Sequence, residues 1–130
     1  MNEERTIHIR YRLERAHEAL EEAAILWQTG HYNAYVNRLY YACFYAINAL
    51  LLQGGYASST HSGTRHLFSQ HFVKTGQVSK EHADIYYALF HYRQESDYKD
   101  NYRIDQQLAE PWLRNTRQFV SIIEGLVRGE

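Results

Sequence analysis

Arg93 and Asp97 stand four residues apart in a stretch whose apolar residues recur at helical spacing. At about 100° per residue, Tyr86, Leu89, Phe90, Arg93 and Asp97 fall on one narrow stripe. Charges on such a stripe must be paired or must face a cleft, because burying an unpaired charge is costly. The i, i+4 spacing lets the guanidinium reach the carboxylate as a structural ion pair, inside the protein or across an interface. The other reading aims the guanidinium, a planar fork of donors, at a phosphate or phosphodiester. Asn37, Arg38, Tyr41, Tyr45 and Asn48 form a second stripe, within about a third of their segment's circumference. If the two stripes face each other, they make a polar groove with two arginines, one acid and several phenols. Otherwise these groups only satisfy one another.

Other chemistries find less support. Helical metal chelation prefers histidines at i, i+4, as in H-E-x-x-H. None of the eight histidines is so paired: His66 and His71 are five apart, His82 and His91 nine. The histidines therefore read as surface or capping residues, and neither a metal nor a cofactor is expected. No P-loop or dinucleotide fingerprint occurs. His61, Ser62 and Asp84 have the residue types of a hydrolase triad, with no spacing that supports one. Cys43 lies in an apolar run and reads as a buried small hydrophobe.

Helices must position these residues. A first amphipathic helix is predicted from about Glu4 to Gln28, with Leu13, Ala16, Leu20, Ala23 and Trp27 at helical spacing and Gly30 as its stop. A second is predicted from about Tyr32 to Gln53. Its run LYYACFYAINALLL, Leu39 to Leu52, is apolar nearly all round and so belongs at the centre. That run has 14 residues, short of the roughly 18–20 a membrane span needs. Thr60 or Ser62 caps a shorter third helix carrying Leu67, Phe68, Phe72 and Val73, ended by Gly76. Ser79 caps a fourth, which bears the Arg93 stripe. Residues 99–103 are polar and read as frayed or loop. Asp105 caps a fifth helix with Leu108, Trp112, Phe119, Ile122, Ile123 and Leu126 on one face. Pro111 either kinks it or marks where its regular part begins. The fold class is all-α: an antiparallel bundle of four principal helices plus one short helix.

The chain has 130 residues, which suits one domain over 1–130. With 14 basic and 15 acidic side chains, net charge supplies no broad nucleic-acid field. The single cysteine excludes an intrachain disulfide and favours a reducing compartment. The opening MNEERTIHIR is too charged for a secretory signal, so a cytoplasmic location without membrane contact is expected. Twelve tyrosines fit a polar-aromatic core or an oligomer interface.

Four segments, in order, carry a resemblance: Asn37-Arg38-Leu39-Tyr40-Tyr41-Ala42, Thr60-His61-Ser62-Gly63, His71-Phe72-Val73-Lys74-Thr75-Gly76 and Arg93-Gln94-Glu95-Ser96-Asp97-Tyr98. Over about residues 10–127 the chain resembles the HEPN family (higher eukaryotes and prokaryotes nucleotide-binding) in its short prokaryotic form. The resemblance implies a helical bundle that dimerises and pairs with a small nucleotidyltransferase in a toxin–antitoxin-like or defence-like system. Many members are metal-independent endoribonucleases, marked by an arginine followed, after four to six residues, by a histidine on the late helix. Arg93 matches the arginine. After four intervening residues comes Tyr98, followed by Lys99 and Asp100, so the histidine is absent.

Tyrosine, with a pKa near 10, is a poor base at pH 7. Arginine stays protonated, and a neighbouring arginine lowers the pKa of an aspartate. Tyr98 also lies roughly 100° or more around the helix from Arg93. The sequence therefore predicts a non-catalytic HEPN-like partner protein that does not cleave RNA by itself. It would bind a nucleotide, RNA or a small nucleotidyltransferase through a groove of Asn37, Arg38, Tyr41, Tyr45, Arg93, Asp97 and Tyr98. Tyr98 and Tyr102 are candidate acceptors for modification by such a partner. The alternatives are an endoribonuclease using Arg93, Asp97 and Tyr98, or a structural dimerising scaffold. A symmetric homodimer is expected, and Arg93 and Asp97 are expected to face inward against Arg38 or the tyrosines of the second helix.

Overall fold

A computed structural model describes residues 3–130. The order is α1 (Glu3–Gln28), α2 (Tyr32–Gln53), α3 (His61–Phe68), α4 (Lys80–Tyr98), α5 (Gln106–Ala109) and α6 (Trp112–Val127), with α3 running into a π turn over Ser69–Val73. No strand occurs among the described residues. The four principal helices are α1, α2, α4 and α6, as the apolar periodicity predicts. None of the described helices is long and apolar enough to cross a membrane.

α1 and α2 form the longest pairing. Gly30 reverses the chain between them at φ 78°, where a residue without Cβ has no steric penalty. Leu13, Ala16, Leu20 and Ala23 of α1 are buried against α2. α2 is the central element. Tyr35, Val36, Leu39, Tyr40, Ala42, Cys43, Ala46, Ile47, Ala49, Leu50 and Leu51 are all buried, and it touches every other α-helix. Cys43 is one of this core, its thiol pKa pushed up by burial.

Three tyrosines, Tyr35, Tyr40 and Tyr86, are fully enclosed. Phe119 of α6, Tyr86 of α4 and Tyr40 of α2 form a column of nearly parallel rings, with centroids 6.3 and 6.2 Å apart and planes inclined by 17° and 19°. Such offset pairs contribute about 0.5–1.5 kcal/mol each beyond area burial. The column fixes α2 against α4 at the point where Arg93 lies.

The fifth predicted helix is two helices. Asp105 caps α5 by accepting from the Gln107 N–H at 2.9 Å, and Pro111, without an N–H, precedes the first residue of α6. The Tyr35 hydroxyl fills the break. It donates to the Ala109 carbonyl and accepts from the Leu113 N–H, both at 2.9 Å. Leu108, expected on the apolar face, is exposed because α5 does not continue the register of α6.

Candidate functional site

The residues at the mouth of α2, α3 and α4 are held by local chemistry. Thr60, not Ser62, caps α3: its hydroxyl accepts from the Gly63 N–H at 2.9 Å, while Ser58 Oγ accepts from the Thr60 N–H at 3.2 Å. Gly63 leaves room for the two hydroxyls of the cap. A Cβ would stand 2.2 Å from Ser58 Oγ and 2.6 Å from Thr60 Oγ1. The capped turn fixes His61 as the first helical residue. Its ring is turned onto α2, with centroids 4.6 Å from Phe44, 5.6 Å from Tyr40 and 5.8 Å from Tyr41. His61 Nδ1 and the Tyr40 hydroxyl share a hydrogen bond of 2.7 Å.

On the other side of Tyr40 lies Arg93. Its guanidinium is 4.7 Å from the Tyr40 ring centroid, and its Nη1 donates to Asp97 Oδ2 at 3.2 Å. The Arg93 side chain is only 14 % exposed and that of Asp97 47 %. Arg93 Nε is buried without a hydrogen-bond partner. One phenol thus carries a guanidinium on its face and an imidazole on its hydroxyl.

The electrostatics follow from this placement. Burial lowers the His61 pKa, and the Arg93 charge lowers it further, against a smaller opposite pull from Asp97. Both effects favour the neutral imidazole. Burial raises the Tyr40 pKa, an effect the Arg93 charge only partly offsets, so the phenol stays protonated.

The residues predicted from sequence divide. Arg93 faces inward onto a tyrosine of α2, as expected. Asp97 does not: it lies in the last turn of α4, where the helix runs out toward solvent, so the pair is half-exposed. Arg38 stays apart from Arg93, lying 5.0 Å from the Tyr41 centroid and pairing with Glu22 at 3.3 Å. Tyr41 joins the site through its T-shaped contacts with His61 and Tyr40. Tyr45 turns toward α1, its hydroxyl accepting from Arg15 Nη2 at 3.4 Å. Asn37 is half-buried one turn before Tyr41. Tyr98 ends α4 with 83 % of its surface exposed. Tyr102 is half-buried, and its carbonyl accepts from Asn33 Nδ2 at 2.9 Å.

Two members were missed. Tyr40 read as one more residue of an apolar run, and His61 as a surface or capping residue. The signal for His61 was the segment Thr60-His61-Ser62-Gly63, a cap followed by a glycine where the cap is crowded. The late helix indeed lacks a histidine after Arg93, yet α3 brings one to the same phenol. Among the described residues, no group of three or more His, Cys, Asp or Glu side chains is arranged to hold a metal ion.

The chain is an all-α bundle with a part-buried arginine and a histidine meeting on one tyrosine of its central helix. Residues 9–126 match the HEPN domain family, and the chain belongs to it. It is 39 % identical over 127 residues to a "UPF0332 protein" of Thermotoga maritima, covering 98 % of this chain and 96 % of that one. It is 30 % identical over 124 residues to a protein of Methanocaldococcus jannaschii named "Putative toxin MJ0142", covering 91 % and 84 %. A "UPF0332 protein" of Archaeoglobus fulgidus is 30 % identical over 109 residues, covering 84 % and 86 %.

Proposed function

We propose that this chain is a toxin-type HEPN protein that binds RNA at the Arg93–His61 cluster and cleaves it without a metal. The observation that carries the reading is the single phenol, Tyr40, shared by the guanidinium of Arg93 and the imidazole of His61. In such a cleavage the ribose 2′-oxygen attacks the adjacent phosphorus and the 5′-oxygen leaves. Neutral His61 takes the 2′-hydroxyl proton, and Arg93 stabilises charge on the phosphorane. The 5′-oxygen takes its proton from water on the open side. Tyr40 holds the imidazole in place. The expectation of no cleavage rested on the histidine missing after Arg93 on the late helix; His61, placed on the Tyr40 hydroxyl from α3, supports the opposite reading. A homodimer and a small nucleotidyltransferase partner belong to the same reading; exposed Ile7, Tyr11 and Ile25 on one side of α1 offer apolar surface for association.

The test is incubation of single-stranded RNA with the protein in EDTA, beside His61→Ala and Arg93→Met. The expected result is cleavage that leaves 5′-hydroxyl ends and is lost in both variants. RNA bound but intact would instead favour the second reading, a non-catalytic partner. Exposed Tyr98, at the position where the family histidine is missing, supports that reading as the acceptor of a nucleotidyl group from the partner enzyme.

A further inference from the structure

A second arginine stands beside the Arg93–His61 cluster. Arg65 follows His61 by four residues on α3, one helical turn of about 5.4 Å along the same face. Its guanidinium lies 4.6 Å from the Tyr87 ring centroid and 4.8 Å from that of Phe90, both on α4. The Tyr87 hydroxyl is held in turn by Ser69. Phe90 meets Tyr40 edge-on with centroids 5.9 Å apart. Arg93 and Arg65 therefore rest on neighbouring rings of one aromatic patch.

Arg65 differs from the other arginines near the α2 surface. Arg93 has Asp97, Arg38 has Glu22 and Arg15 has Glu18. Among the described residues Arg65 makes no ion pair, although it is half-buried. Aromatic faces offset part of the desolvation of a guanidinium, but a part-buried cation is best served by an anion. No acid among the described residues supplies one.

We infer that Arg65 is a second phosphate subsite, which takes the phosphate next to the one held by Arg93, so that the cluster's ligand is a polynucleotide strand rather than a mononucleotide. This rests on the proposal that the Arg93–His61 cluster binds RNA. On this assignment a ligand with one phosphate is held by Arg93 alone. A strand lying along the His61–Arg65 face engages both, and the aromatic patch between them accepts ribose or base without regard to sequence.

The experiment measures binding of 3′-UMP, ATP and a short oligouridylate carrying a non-cleavable 2′-O-methyl backbone, over a series of salt concentrations. Wild type is expected to bind the oligomer more tightly than 3′-UMP. Arg65→Met, which keeps the stem packed on Tyr87 and Phe90, should weaken the oligomer about tenfold and reduce the slope of log K against log salt by about 0.7. It should leave 3′-UMP unchanged. Arg65→Lys should recover most of the loss, and Arg65→Gln should behave as Arg65→Met, with circular dichroism verifying the fold of each. Equal weakening of 3′-UMP and oligomer, or no effect on either, overturns the subsite. A loss on ATP as large as that on the oligomer also overturns it, assigning the arginine pair to a nucleotide polyphosphate. If Arg93→Met retains wild-type affinity for every ligand, or wild type binds none, the underlying RNA proposal fails as well.

Discussion

Arg93→Met separates a binding arginine from a structural one. Three contributions can be sized. The guanidinium on the Tyr40 face contributes about 1–2 kcal/mol in a part-buried setting. The pair with half-exposed Asp97 adds at most about 1 kcal/mol, because solvent screens it. Against these, burying Nε without a partner costs about 1–3 kcal/mol. The opposing contributions nearly cancel. A methionine stem keeps contact with the Tyr40 ring and leaves no orphaned donor. Arg93→Met is therefore expected to unfold within about 1 kcal/mol of wild type, a shift in Tm of no more than about 4 °C. Loss of a charge-assisted contact to phosphate should cost about 1.5–3 kcal/mol of binding, or roughly ten- to a hundredfold in Kd. Thermal unfolding followed by circular dichroism gives the first number, and anisotropy of labelled single-stranded RNA the second. A loss of stability above about 3 kcal/mol, the behaviour of a buried ion pair stripped of one partner, would refute the reasoning. So would wild-type RNA affinity.

Gly63→Ala should likewise leave stability within about 1 kcal/mol, since about 1 kcal/mol of helix propensity gained offsets about 1 kcal/mol of capping lost. Because the new Cβ forces Thr60 and Ser58 aside, it should displace His61 and lower the RNA-cleavage rate by about a hundredfold; an unchanged rate would show that the cap does not position the imidazole. Acid should weaken the fold through His61, which faces Tyr40 and Tyr41 of α2 and Arg93 and Asp97 of α4. Its folded pKa is depressed, so the unfolded chain binds the proton first, and stability is lost as pH falls from the ordinary value near 6.5 toward the lower folded value. His61→Gln should reduce the drop in Tm between pH 7.5 and 5.5; an undiminished drop would place the acid sensitivity elsewhere.

Much of the fold was legible because local chemistry and periodicity agree. α2 is bounded where an unbroken apolar pattern meets Gly30 and Gly54, and Ser79 and Asp105 are caps whose side chains accept from N–H groups two or three residues on. Pro111 left two readings open, since its effect depends on what satisfies the broken ladder. The answer, the Tyr35 hydroxyl, comes from a helix far away in sequence. The site was half legible for the same reason. Arg93 and Asp97 announce themselves by i, i+4 spacing within one helix. His61 and Arg65 are also four apart, but they are not of opposite charge and signal no pair, and their partners, Tyr40, Phe90 and Tyr87, are set by the packing of α3 across α2 and α4. Helical angles cannot express a relation between helices.

The capped turn that aims His61 has a consequence for the order of events at synthesis. Tyr40 and His61 leave the ribosome before Arg93, because α2 and α3 precede α4 in the chain. A nascent chain can close the Thr60 cap and seat the imidazole on the phenol while the guanidinium is still inside the exit tunnel. The Arg93–His61 cluster is assembled only when α4 docks on α2 and α3. Under the proposed reading, the surface that would meet RNA stays incomplete until α4 has docked.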